Sequence, residues 1–263
     1  IIGGDRGIGE GPIGQGNLSS SNAVGIGLWA DAENNIVTGN LLGTDVSGST
    51  GTGNWGSGVW IVEGGRNNYI GPGNIIANNR TCGIDVSDPQ SYKNTFSNNI
   101  VYNNLVAGIC LGGGANAKIA PPFITEFNRD QGLLTGTTCP NCRVEVYSDI
   151  NDQGAVFEGQ IVADVEGVFT YKKRSAFTHE NITAITTDAD GNTSRFSDVV
   201  GKMGGIKTLQ VDNMRPKFQL LTKTSTELPA DHRLGWGFGG GGIWGDLQKD
   251  QWQWWLDICN DFG

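Results

Sequence analysis

Three groups of side chains in this 263-residue sequence stand at spacings that suggest chemistry. Cys139 and Cys142 form a Cys-x-x-Cys around Pro140-Asn141. A zinc site would want a second such pair, and Cys82, Cys110 and Cys259 do not provide one. The pair reads as a redox or metal hook or, more plainly, as a small disulfide loop at a turn. Asp149-x-Asn151-x-Gln153-Gly154 begins like a calcium loop, and Asp188-Ala189-Asp190-Gly191-Asn192 is a second acidic turn. The twelfth position of the first is Gln160 rather than Glu, so Ca2+ competes there with an ordinary β-turn. The third group is aromatic: Trp60 early in the chain, and Trp252, Trp254 and Trp255 near its end. Such rings stack on sugars, or cover apolar surface when buried.

Catalytic sets are harder to find. The two histidines, His179 and His232, sit far apart, and neither His-Glu-x-x-His nor Gly-x-Ser-x-Gly occurs. Glycoside hydrolysis needs two converging carboxylates. The nearest approach to that is Asp85 with Asp88 and Glu63, a patch without Lys or Arg. The expectation leans away from an enzyme, and no cofactor is expected beyond a Ca2+ ion in the acidic turns.

Composition narrows the partners. The net charge is −9 with 17 % charged residues, which argues against DNA and RNA. No apolar run approaches the length of a membrane span. Five cysteines leave at least one unpaired within the chain. The opening Ile1-Ile2-Gly3-Gly4 reads as the middle of a repeat, so the chain is expected to be a mature or partial form of a longer precursor.

The elements that position these residues are legible as a repeat. Asn74-Ile75-Ile76-Ala77-Asn78-Asn79 followed by Gly83-Ile84-Asp85-Val86 returns 25 residues later as Asn99-Ile100-Val101-Tyr102-Asn103-Asn104 and Gly108-Ile109-Cys110-Leu111. Gly58-Val59-Trp60-Ile61 and Gly25-Ile26-Gly27-Leu28 are earlier copies, separated by a polar insertion over 44–54. A period in the twenties with one strand signal per copy predicts a solenoid of stacked coils. In each copy the residue after Gly and the one two further on are apolar, so they face inward. Gly27, Trp60, Asp85 and Cys110 then form an outward column. By the same alternation Cys82 faces inward and Cys110 outward, so the two are not expected to bond. Asn40, Asn74/Asn99 and Asn79/Asn104 recur at corners, where Asn tolerates left-handed turns and its amide reaches the copies above and below.

The phrases Gly39-Asn40-Leu41-Leu42-Gly43-Thr44-Asp45-Val46-Ser47-Gly48, Asn68-Tyr69-Ile70-Gly71 and Gly73-Asn74-Ile75-Ile76 resemble the right-handed parallel β-helix (pectin-lyase-like) repeats of large secreted bacterial proteins. That resemblance covers about residues 1–117 and implies three short parallel sheets. The Asn-Thr-Asp, Gly-His-Gly and Arg-Ile-Lys motifs of polygalacturonase-like enzymes are absent. The repeat stops at Lys118-Ile119-Ala120-Pro121-Pro122. Seven short alternating runs follow, Phe123–Phe127, Leu133–Thr138, Arg143–Ser148, Val156–Ala163, Val168–Lys172, Ile182–Thr187 and Ser194–Val199, and predict an antiparallel sandwich over 118–201. Residues 136–149 and 186–197 resemble the bacterial Ig-like modules that follow such β-helices, which in that family are surface spacers. Residues 202–263 form a third, Gly/Trp-rich segment matching neither pattern.

The expected molecule is therefore all-β: a parallel β-helix over 1–117, an Ig-like β-sandwich over 118–201, and a Trp-rich segment. The function expected from this is an extracellular or cell-surface structural or adhesive protein, self-associating head to tail or engaging other surface proteins. The alternative is a carbohydrate-binding or carbohydrate-active protein working on an extracellular polysaccharide.

Overall fold

In the computed structural model, residues 1–201 are described. Trp252, Trp254, Trp255, His232 and Cys259 lie outside these residues. Twelve short strands over the first 111 residues fall into four coils of three. The first coil holds β1 (Ile2–Gly3), β2 (Leu18–Ser19) and β3 (Ile26–Leu28), the second β4 (Ile36–Thr38), β5 (Leu41–Leu42) and β6 (Val59–Ile61). The third holds β7 (Tyr69–Ile70), β8 (Ile75–Ala77) and β9 (Cys82–Val86), the fourth β10 (Thr95–Phe96), β11 (Ile100–Tyr102) and β12 (Ala107–Leu111). Like strands of successive coils pair in parallel, giving three four-stranded sheets: β1-β4-β7-β10, β2-β5-β8-β11 and β3-β6-β9-β12. This is an all-β solenoid consistent with a parallel β-helix. Val37, Leu42, Ile61, Ile70, Ile76 and Ile84 fill its interior, each fully buried.

Strands of two to five residues bury little on their own, so the corners must fix how each coil sits on the next. Three columns of asparagine do this. In one, the backbone N–H and Nδ2 of Asn54 donate to Asn79 Oδ1 (3.1 and 2.8 Å), and those of Asn79 donate to Asn104 Oδ1 (3.1 and 2.9 Å). A second runs Asn17–Asn40–Asn74–Asn99, and a third Asn35–Asn68–Asn94–Asn116. The left-handed conformation at most of these corners falls on the residue before the ladder asparagine, Asn116 being itself left-handed. Asn78, Asn98, Asn103, Gly39, Gly53 and Gly73 all have positive φ. The corner is thus divided between one residue that turns the chain and one that reaches inward.

Past the coils, a 3-10 turn at Asn116–Lys118 leads to six antiparallel strands: β13 (Phe123–Asn128), β14 (Leu133–Thr137), β15 (Arg143–Asp149), β16 (Val156–Val162), β17 (Val168–Lys172) and β18 (Asn181–Thr187). They form two sheets, β13-β14-β17 and β16-β15-β18, that share a core around Leu134, Val144, Val146, Phe169 and Ile182. The seventh expected strand, Ser194–Val199, is not a strand. Its serines explain why: the Ser194 and Ser197 hydroxyl oxygens accept from the N–H groups of Thr186 (2.9 Å) and Ala184 (3.1 Å), taking the place of ladder carbonyls.

The change of topology at residue 118 is not a break in packing, since Tyr147, Ile185 and Phe196 belong to the same apolar cluster as the coils. The sheet β16-β15-β18 and its connections cap the last coil and satisfy orphan donors there. Gln153 Oε1 accepts from the N–H and Nδ2 of Asn104 (3.2 and 3.0 Å), extending that ladder by one step. The Glu145 carboxylate accepts from Ser97 Oγ (2.6 Å) and the Asn98 N–H (2.9 Å).

Asn79 is buried and serves both neighbours, donating to Leu42 O as well as to Asn104. Removing its amide leaves several buried polar groups unpaired. Asn79→Ala is expected to lose roughly 2–4 kcal/mol in urea denaturation. A loss within the ordinary surface range would contradict the ladder's role.

Candidate functional site

The outer face of the sheet β3-β6-β9-β12 gathers most of the chemistry of the coils. Its register sets Gly27, Trp60, Asp85 and Cys110 side by side, one per coil. Around this column stand Trp29, Thr81 and Ser87, together with Ser57 and Cys82, which strand alternation alone does not assign to it.

A glycine just before each inward apolar pair explains the arrival of Ser57 and Cys82. A Cβ on Gly83 would meet Val101 Cγ1 and Asn104 Nδ2, and one on Gly58 would meet Ile76 Cγ2 and Asn79 Nδ2. Both glycines therefore face the interior, as do the Ile84 and Val59 that follow. Two successive inward residues reset the alternation, so Ser57 and Cys82, just before the glycines, turn outward. This corrects the expected orientation of Cys82 and the expectation that Cys82 and Cys110 do not bond. The two form a disulfide with Cα atoms 6.1 Å apart, at a separation of 28 residues. One coil earlier, Ser57 Oγ donates to Asp85 Oδ2 (3.3 Å) across the same separation of 28.

A hydrogen-bonded line crosses the face. Trp60 Nε1–H donates to Ser87 Oγ (2.8 Å), and the Ser87 hydroxyl donates to Asp85 Oδ1 (3.0 Å). Thr81 and Ser57 share a hydroxyl–hydroxyl bond of 2.7 Å. Burial pushes the Asp85 carboxyl above the usual carboxylate range, and the hydrogen bonds from Ser87 and Ser57 pull it only part of the way back.

Beside the line, the ring of Trp29 occupies the space a Cβ on Gly27 would fill, with Cε2, Nε1 and Cζ2 at 2.7–3.0 Å from that position. The ring packs edge-on to Trp60, with centroids 5.4 Å apart, and stays 47 % exposed. Farther back along the chain, the Arg80 guanidinium carbon sits 3.5 Å over the exposed Trp55 ring.

Asp88, which the sequence groups with Asp85 and Glu63, is occupied by its own turn. Its oxygens accept from the N–H groups of Glu63, Gln90 and Ser91 and from Ser91 Oγ. What the face offers is ring surface, hydroxyls and one partly buried carboxyl.

The other expected site residues lie elsewhere. Cys139 and Cys142 are joined by a disulfide at a turn. Asp149 accepts from the N–H groups of Asn151 (2.9 Å) and Gln153 (3.2 Å), which positions the residue that extends the Asn104 ladder. Asp188 accepts from the N–H and Nδ2 of Asn192, whose Oδ1 takes the Lys93 N–H (2.6 Å). Asp190 pairs with Lys93 at 3.4 Å. Both acidic turns thus dock the antiparallel sheets onto the coils. Among the described residues no three His, Cys, Asp or Glu side chains converge, and no helix is long and apolar enough to cross a membrane.

No family model matches the chain, and no curated protein matches its sequence.

Two tests follow from this geometry. A non-reducing peptide map is expected to link the peptides of Cys82 and Cys110. Free thiols at both positions would contradict the reset alternation. The second test concerns Asp85. An acid whose folded-state pKa is raised loses stability by ionising, and the loss sets in as pH climbs past its ordinary value of 3.8. The Tm of Asp85→Asn is expected to gain on the wild type as pH rises from about 4 to about 7. A difference that stays flat across that window would show that burial does not perturb the group.

Proposed function

We propose that this chain is part of an extracellular adhesive surface protein that holds polysaccharide against the outer face of β3-β6-β9-β12. The observation that carries the reading is Trp29. Its ring lies against a strand that has no side chain beneath it, is braced by Trp60, and keeps one side open. An aromatic surface fixed in this way suits stacking on a sugar ring. The hydroxyls of Thr81 and Ser87 and the Asp85 carboxyl, held from below by the buried Ser57, add the few oriented polar groups that a binding site needs.

Two disulfides support an oxidising compartment, which fits a secreted or surface location. The coil stack agrees with the resemblance to secreted bacterial β-helix proteins, and the antiparallel sheets agree with an Ig-like spacer behind the binding element.

On a glycan array the full chain is expected to bind a subset of polysaccharides, with Trp29→Ala and Trp60→Ala each weakening binding about tenfold or more. Undiminished binding by both variants, or uniform signal on every glycan, would contradict the reading.

A further inference from the structure

We infer that the glycan taken by this face is an uncharged pyranose chain and not a polyuronate, an inference that rests on the binding role proposed for the face. Charge decides it. Asp85 lies in the face itself, and the exposed Glu63 stands in the neighbouring coil beyond the Trp29 column. Asp31 follows Trp29 by two residues, and its side chain is 75 % exposed.

Among the described residues no cation pairs with Asp85 or Glu63. Arg66 is shared by Asp31 at 2.6 Å and Glu33 at 3.2 Å, so those three groups keep one negative charge. Lys93 pairs with Asp190, and Arg80 is stacked on Trp55 in the turn ahead of the sheet. Arg6 sits in the loop between β1 and β2, and Lys118 follows the last coil. A chain with a carboxylate on every sugar would bring like charge against the face at each step. Neutral sugar hydroxyls, in contrast, donate well to carboxylate oxygens.

Spacing suits a pyranose chain of either kind, and charge makes the choice. Adjacent coils are about 4.8 Å apart in the pairing direction, close to the length of one pyranose unit. A neutral chain laid across the coils meets the Trp29 ring, the edge of Trp60 and then the Asp85–Ser87 pair. In that path the rings take the apolar sugar faces, and Asp85 and Ser87 take the hydroxyls.

The test is calorimetric titration of the full chain with neutral gluco-, manno- and xylo-oligosaccharides and with an oligogalacturonate of the same length. It is run in chelator, so that no divalent cation bridges carboxylates, at low salt and again at high salt. At least one neutral oligosaccharide is expected to bind, with about a tenfold or greater loss in Trp29→Ala and retention in Trp29→Tyr, which keeps a flat ring. The oligogalacturonate is expected to bind at least about tenfold more weakly, with high salt or Glu63→Gln narrowing the gap. Oligogalacturonate binding that is equal or tighter and depends on Trp29 would overturn the inference while leaving the face a glycan site. If no oligosaccharide binds in a Trp29-dependent way, the glycan reading falls and this inference with it.

Discussion

The asparagine ladders set where every coil stands. A strand of two or three residues has too few backbone pairs to hold its register, and a slip by one residue would exchange the inner and outer columns. The ladder removes that freedom. Each amide oxygen collects two donors from the coil on one side, and the next asparagine offers two donors onward. The repeating unit is thus locked by buried, mutually satisfied amides, which are costly to leave unpaired. At the last coil Gln153 and Glu145 supply the acceptors that a fifth coil would have brought. The antiparallel sheets therefore complete the stack as well as following it.

Fixed register is what makes one continuous face out of side chains from different coils. Trp29, Trp60 and Asp85 come from three coils and meet because β3, β6 and β9 stand in one sheet. Gly58 before β6 and Gly83 within β9 then add a second outward column. Through it Ser57 reaches Asp85 and Cys82 reaches Cys110. The disulfide ties the third coil to the fourth on the same face, so the rings and hydroxyls sit on a surface held by both covalent and amide cross-links.

Much of this is legible in the sequence, and the exceptions have physical causes. The 25-residue phrase carries the coils, and Ile84/Val86 with Val59/Ile61 carry the core, because inward apolar pairs repeat at strand period. The ladders at Asn74/Asn99 and Asn79/Asn104 are visible for the same reason. The third ladder is harder to see. Asn35, Asn68, Asn94 and Asn116 are spaced 33, 26 and 22 residues apart, although the first three share the pattern of an asparagine just before a strand. Cys82 defeats a strict alternation rule because Gly83 has no Cβ to show which side it occupies. Trp29 escapes notice because its ring folds back over Gly27, an arrangement that depends on the empty side of a residue two positions earlier. Ser194–Val199 reads as a strand by pattern, yet its serine oxygens do the work of backbone carbonyls.

The central claim is that the outer face of β3-β6-β9-β12 is where the molecule meets a glycan. Hydrogen–deuterium exchange of the full chain, with and without a bound neutral oligosaccharide, reads that face directly. The account predicts added protection in the peptides holding residues 25–31, 57–63 and 81–88, with the antiparallel sheets unchanged. Protection confined to other parts of the chain would contradict it.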